Sequence, residues 1–153
     1  MPTYLITFTT YGTRLHGDER GTVDRRSARV GTPRLAPNEG RAFVARHAMA
    51  GETLTLSTMQ RVCAEAAIKE LGARRHWNLW ALNVRTNHVH VVVSAEEAPE
   101  IVMQGMKAWV TRALRESGLA GEAERIWTRH GSTRWLNTDA SLAAAVDYVL
   151  FQQ

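Results

Sequence analysis

The chain has 153 residues, 44% of them hydrophobic and 22% charged, which fits a single globular domain with a buried core. Its one cysteine, Cys63, excludes a disulfide framework and a zinc site built on thiolates. The net charge is +4, and all but two of the 19 basic residues are arginine, which favours a polyanionic partner because arginine binds phosphate through paired hydrogen bonds.

The first predicted strand spans residues 4–11, which are rich in β-branched and aromatic side chains. Its two faces differ, with Tyr4, Ile6 and Phe8 on one and Thr7 and Thr9 on the other. Residues 12–51 follow with eight arginines and little periodicity. So long an irregular segment is uncommon in a compact domain. We therefore expect one domain over residues 1–153 with a long insertion at about 12–51.

A helix is predicted over residues 57–75, where Ser57 and Gln60 have the spacing of a capping box. Its expected apolar stripe is Met59, Val62, Cys63, Ala66, Ala67 and Leu71. Two strands follow over 77–85 and 88–94, and they form an antiparallel hairpin through the turn Thr86-Asn87. On the first of these strands, alternation places Trp80, Leu82 and Val84 on one face.

The second half of the chain predicts two more helices and a strand. Pro99 fits the first turn of a helix over 99–117. Its expected inward residues are Val102, Met106, Trp109, Val110 and Ala113. A weakly signalled strand at 132–136 and a helix from about 140, capped by Asn137 or Thr138, complete the chain. The order β-α-β-β-α-β plus a terminal helix indicates an α+β, ferredoxin-like fold.

Two histidines stand on the third predicted strand, in the run Asn87-His88-Val89-His90. Side chains alternate along a strand, so both imidazoles share one face while the valines face the core. Two imidazoles at this spacing can converge on a divalent metal. Two partly exposed histidines without a metal remain an alternative. A histidine-triad nucleotide hydrolase is disfavoured, because the third position of its pattern is Val92.

The last predicted helix carries Tyr148 and Gln152, which are four residues apart and share a face. An amphipathic helix with an exposed tyrosine at its margin would explain both residues without any chemistry. A tyrosine hydroxyl is a weak nucleophile at neutral pH, but a cation that polarises a phosphate oxygen offsets this weakness. A carboxamide oxygen beside the tyrosine would suit Mg²⁺ or Mn²⁺.

These motifs, in this order, resemble the single-tyrosine transposases of the His-hydrophobic-His (HUH) endonuclease superfamily, which include the REP-associated tyrosine transposases and the transposases of the smallest insertion sequences. The resemblance rests on the opening strand, Asn87-His88-Val89-His90 and the Tyr148-x-x-x-Gln152 spacing. It implies that His88, His90 and Gln152 hold Mg²⁺ or Mn²⁺. It also implies that Tyr148 attacks single-stranded DNA and forms a 5′-phosphotyrosine link.

The resemblance further implies a hairpin or single-stranded DNA partner, a homodimer, and strand transfer without a nucleotide cofactor. Candidate phosphate-contacting residues are Arg14, Arg85, Lys107, Arg112 and Arg134. Trp127 and Trp135 could stack on unpaired bases, and a place in the core is the favoured alternative for both. No export signal and no apolar run of about 20 residues is present in the sequence, so we expect a cytoplasmic protein with no membrane partner.

Two other functions stay open. A replication initiator or plasmid relaxase would make the same cut, although such nickases usually belong to longer chains. A catalytically inactive or domesticated module could bind hairpin nucleic acid without cleaving it. Binding alone does not require the two histidines, Tyr148 and Gln152, so the sequence favours the enzyme.

Overall fold

The computed structural model describes residues 1–13 and 53–151. The elements in chain order are β1 (Thr3–Thr9), α1 (Thr58–Arg75), β2 (Asn78–Val84), β3 (His88–Ser94), α2 (Pro99–Glu116), β4 (Ser132–Trp135) and α3 (Asp139–Phe151). The four strands form one antiparallel sheet in the order β2-β3-β1-β4. This element order and strand order confirm the predicted α+β, ferredoxin-like fold. All but the first two residues of the expected insertion lie outside the described residues.

One face of the sheet packs under α1 and α2 and forms the main core. Alternation along β1 and β3 directs every second side chain into this layer. Its sheet residues include Tyr4, Ile6, Phe8, Val89, Val91 and Val93, all of them buried. The predicted faces of β1 and β3 are therefore confirmed, and the histidines of β3 point to the opposite side.

The opposite face of the sheet is covered in part by α3, which contacts β2 and β3. A second cluster of buried residues joins helix and sheet there: Ala81, Val92, Leu136, Ala145 and Val149. The half-buried Leu5, Leu142 and Val146 pack against this cluster. The C-terminal helix consequently lies on the face that carries the histidines.

The face predicted for Trp80 is wrong. Leu79 pairs with Val93 and Ala81 pairs with Val92, so Trp80 is the extra residue of a β-bulge. The bulge turns the Trp80 side chain to the histidine-bearing face, where its indole N–H donates to Ser94 Oγ at 2.9 Å. Trp80 therefore does not share a face with the half-buried Leu82 and Val84, which pack against the main core.

The apolar stripe predicted for α1 is also rotated from the buried one. The buried residues are Ala64, Ala67, Ile68, Leu71 and Gly72, whereas Met59 and Val62 are exposed. The capping box itself is present, and the Gln60 carboxamide donates to the carbonyl of Leu119 at 2.8 Å. Because Gln60 reaches toward the segment after α2, the buried line runs through Gln60 and Ala64 rather than through Met59 and Val62.

The inward face of α2 agrees with the prediction at three positions, Val102, Met106 and Val110. Trp109 and Ala113 are only half-buried at the margin of the core, while Met103 and Leu114 take the buried positions beside them. The predicted stripe was therefore rotated slightly toward the side of Trp109.

Candidate metal and tyrosine site

The two histidines lie side by side on β3, on the face covered by α3. Their ring centroids are 4.6 Å apart and the rings meet at 74°. His90 is only 7% exposed, whereas His88 is half-buried at the start of the strand. The strand therefore places two imidazoles, a common type of metal ligand, next to each other.

Each imidazole is oriented by a hydrogen bond to its Nδ1 atom. Asn87 Oδ1 lies 2.7 Å from Nδ1 of His88, and because an amide oxygen only accepts, that Nδ1 carries the proton. Thr7 Oγ1 lies 2.9 Å from Nδ1 of His90, since Thr7 pairs with His90 across β1 and β3. Such partners fix the ring and leave Nε2 as the nitrogen that can bind a metal.

The protonation state of His90 suits metal binding. Burial, together with the smaller effect of the charges of His88 and Arg85, lowers the pKa of His90 to about 4. At neutral pH the imidazole of His90 is therefore uncharged, which is the form that binds divalent metals.

The helix α3 brings Tyr148 to the histidines. Thr138 caps the helix, because its hydroxyl accepts from the backbone N–H of Ser141 at 3.0 Å. At the other end Val149 is fully buried against the sheet. The Tyr148 ring then stands edge-on to the ring of His90, with centroids 5.5 Å apart and an interplanar angle of 81°.

The phenol and the two imidazoles thus meet within a single chain. Tyr148 is 38% exposed to solvent. Gln152, the remaining residue of the predicted set, lies outside the described residues. Within residues 1–13 and 53–151, no group of three or more His, Cys, Asp or Glu side chains could hold a metal. A third protein ligand for a cation at the histidines must therefore be of another type or lie elsewhere.

Two residues of this site were missed in the sequence. Thr7 was placed on the correct face of β1, but its pairing with His90 depends on the register of two strands distant in sequence. Asn83 donates from its side chain to the carbonyl of Val149 at 2.9 Å. Its position opposite His90 follows from the hairpin register and the bulge at Trp80, which alternation alone does not reveal.

The candidate DNA-contacting residues do not share one surface. Arg85 stands opposite His88 at the end of the hairpin, and its charge acts on His90. Arg134 pairs with Leu5 on the edge strand β4, so it is on the face that carries the histidines. Trp135 is exposed on the face that α1 and α2 cover, where its ring meets the Tyr4 ring edge-on. Arg14 lies outside the described residues.

The remaining candidates belong to the side of α2. Arg112 is exposed and pairs with Glu116. Lys107 is buried, and its ammonium donates to the carbonyls of Thr128 and His130. Two of the three ammonium donors of Lys107 are thus used within the protein, and its burial favours a structural role. Trp127 is a core residue that packs edge-on against Phe8.

A groove of about 890 Å³ runs along α2 and the segment before β4. Arg112, Arg115, Arg125 and Arg129 line it together with three glutamates. Neither His88 nor His90 lines this groove, and no residue of α3 does. We therefore place the candidate site at His88, His90 and Tyr148, where residues with complementary chemistry converge.

No protein-family model matches the chain, and no curated protein matches it. Among solved structures, the chain is similar to a REP-associated tyrosine transposase bound to a REP hairpin, with a TM-score of 0.54 and 14% identity. The match covers 97% of this chain and 64% of that one. This similarity supports the fold described above. In the described part of the chain, no helix has the length and apolarity needed to span a membrane.

Proposed function

We propose that the protein nicks and rejoins single-stranded DNA, with Tyr148 as the nucleophile and a divalent cation bound by His88, His90 and Gln152. The observation that carries the proposal is the 5.5 Å approach of the Tyr148 and His90 rings within one chain. A buried imidazole beside a half-exposed phenol offers a nucleophile next to a metal ligand, which a binding module does not need.

The cleavage step conserves one phosphodiester linkage. The Tyr148 oxygen forms a bond to the phosphorus, and the bond from phosphorus to the 3′ oxygen breaks. The phenol proton leaves to solvent, and the departing 3′ oxygen takes up a proton to give a 3′-hydroxyl. The 5′ phosphate stays on the tyrosine, so a second 3′-hydroxyl can reverse the reaction on another strand without a nucleotide cofactor.

The residues present fit a divalent cation. Both histidines have an Nδ1 partner that orients Nε2, and His90 is neutral at pH 7. When bound, Mg²⁺ or Mn²⁺ would polarise a phosphate oxygen and stabilise the charge that develops at phosphorus. Gln152 is four residues after Tyr148, which is the spacing at which two residues of a helix share a face.

The proposed partner is hairpin or single-stranded DNA. The arginine-rich composition and net charge of +4 support a polyanionic ligand. The structurally similar transposase is itself bound to a REP hairpin. A homodimer also belongs to this proposal, although bringing Tyr148 to His90 does not require a second copy.

A covalent-adduct assay tests the proposal. Purified protein is incubated with end-labelled hairpin DNA carrying a single-stranded flank and Mn²⁺ or Mg²⁺, and the products are separated on a denaturing gel. We expect a labelled protein band that disappears with chelator and in Tyr148→Phe. Tyr11→Phe is the matched control and retains the band, because the Tyr11 ring packs against the Arg125 guanidinium, 4.5 Å away, beside the groove along α2.

Two results would contradict the proposal. An adduct that persists in Tyr148→Phe would assign the nucleophile to another residue. Tight DNA binding with no adduct, over a panel of hairpins with both metals, would favour the alternative of a binding module without cleavage activity.

A further inference from the structure

Asn83 joins the strand pair that carries the histidines to the helix that carries Tyr148. It lies on β2 directly opposite His90. Its side-chain Nδ2 donates to the backbone carbonyl of Val149 at 2.9 Å. Val149 follows Tyr148 immediately in the chain, so the polar contact reaches α3 within one residue of the phenol.

The contact reaches the last turn of the described helix. Val149 belongs to this last turn of α3. The Asn83 amide supplies a donor from the sheet itself, at a position that faces the helix.

Apolar contacts also hold α3 on the sheet. Their buried members are Ala81, Val92, Leu136, Ala145 and Val149. Apolar attraction has no preferred direction, so these contacts bury one face of the helix without selecting its exact rotation. A hydrogen bond of 2.9 Å has a preferred direction and length, and it therefore selects one placement.

We infer that Asn83 is a positioning residue that sets the rotation of the last turn of α3 and thereby aims Tyr148 at the phosphate held beside His90. This inference rests on the proposed function. It assigns Asn83 no contact with DNA, metal or the reacting atoms. Its effect on the reaction is transmitted through the Val149 backbone and the adjacent phenol.

The kinetic test uses Asn83→Asp, which keeps the shape of the side chain but replaces the donating NH₂ with an oxygen. We expect the single-turnover rate of adduct formation at saturating DNA to fall by about tenfold to a hundredfold, the effect of a small misplacement of a reacting group. The dissociation constant for DNA should stay within about twofold, since a misaimed phenol does not remove DNA contacts. Asn83→Ser, which is smaller and uncharged, should show the same fall in rate and the same DNA affinity. It replaces the aspartate variant in the test if that variant does not fold.

The matched control is Asn78→Asp, at an exposed position at the start of the same strand. It introduces the same charge on β2 without touching α3, and its adduct rate should equal that of the unchanged protein. Full-rate adduct formation by both Asn83→Asp and Asn83→Ser would overturn the inference and leave the proposed function intact. An equal loss in Asn78→Asp would also overturn it, because charge on β2 would then explain the effect.

A second readout does not depend on activity. Amide hydrogen exchange in the last turn of α3 should accelerate roughly two- to tenfold in Asn83→Asp and Asn83→Ser, the range expected for loss of one hydrogen bond. Exchange in α1 should not change. If the unchanged protein forms no adduct, the proposed function fails, while accelerated exchange would still support the placement of α3 by Asn83. Unchanged exchange in both variants would overturn the inference in either case.

Discussion

At the scale of single residues, the candidate site depends on neighbouring side chains that orient the two imidazoles through hydrogen bonds. Asn87 and Thr7 orient the two imidazoles, and burial keeps His90 neutral. Lys107 plays a comparable part on the other side of the sheet, where it fixes the segment before β4. In each case a polar group is buried because it has a partner, and removing the partner leaves an uncompensated cost.

The shifted pKa of His90 predicts how stability depends on pH. Its pKa is about 4 in the folded protein and has its ordinary value of 6.5 in the unfolded chain. Protons therefore bind the unfolded chain more tightly. The contribution of His90 to stability is complete above pH 6.5 and is lost as the pH falls from 6.5 toward 4, by no more than about 3 kcal/mol.

Urea unfolding at pH 7.5, 6, 5 and 4 checks this expectation against His90→Gln, which keeps a polar side chain but does not titrate. The unfolding free energy of the unchanged protein should fall more steeply than that of the variant between pH 6.5 and 4. Parallel curves in this window would contradict the assigned direction of the shift.

Lys107 provides a second test at the residue scale. Lys107→Met keeps the length of the side chain but removes the donors to the carbonyls of Thr128 and His130. We expect a loss of about 2 kcal/mol in unfolding free energy, because two carbonyls lose a charged donor in a buried position. Lys69→Met, on an exposed pair with Glu65, should change stability by less than about 0.5 kcal/mol. Equal midpoints in chemical denaturation would refute the structural role of Lys107.

At the scale of helices and strands, the sequence predicts those features that depend only on residues close together in the chain. The capping box at Ser57 and Gln60, the hairpin of β2 and β3, and the helix after Thr138 follow from local spacing. The facing of Trp80 could not be predicted in this way, since one unpaired residue in β2 reverses the alternation. The buried stripe of α1 is predicted correctly at Ala67 and Leu71 and wrongly at Met59 and Val62, because tertiary contacts decide which apolar residues of a helix turn inward.

The same distinction applies to the candidate site. The sequence predicted His88, His90 and Tyr148 because their spacing within one strand or helix has a chemical meaning. Thr7 and Asn83 act through register between segments that are distant in the chain, and Asn83 also depends on where α3 docks. No pattern within a single element contains that information.

The approach of β4 to β1 gives a prediction at this scale. A Cβ on Gly131 would lie 2.6 Å from the Thr7 carbonyl oxygen and 2.6 Å from Met103 Sδ. Gly131→Ala should therefore destabilise the protein by about 1–3 kcal/mol, because a backbone oxygen must move. A Cβ on Gly121 would meet no atom within 4 Å, so Gly121→Ala should leave the unfolding free energy nearly unchanged. Thermal unfolding of both variants checks the pair, and equal midpoints would contradict the close approach.

At the scale of the whole molecule, α3 brings Tyr148 next to His90 of the same chain. The helix follows β4, crosses the histidine-bearing face over β2 and β3, and ends with Tyr148 beside His90. The basic residues are spread over both sides of the sheet. A DNA ligand that contacts both Arg134 and the groove near Arg112 would therefore have to wrap around the β4 edge.

The central claim is that Tyr148 and the two histidines of one chain form one cleavage site. The most direct measurement mixes Tyr148→Phe with the double variant His88→Ala, His90→Ala, and assays adduct formation on hairpin DNA with Mn²⁺. Each variant alone should be inactive. We expect the mixture to stay inactive, because neither chain contains both halves of the site. Adduct formation restored to about a quarter or more of the unmixed protein's level would show that the tyrosine of one subunit serves the histidines of another, and would contradict the account.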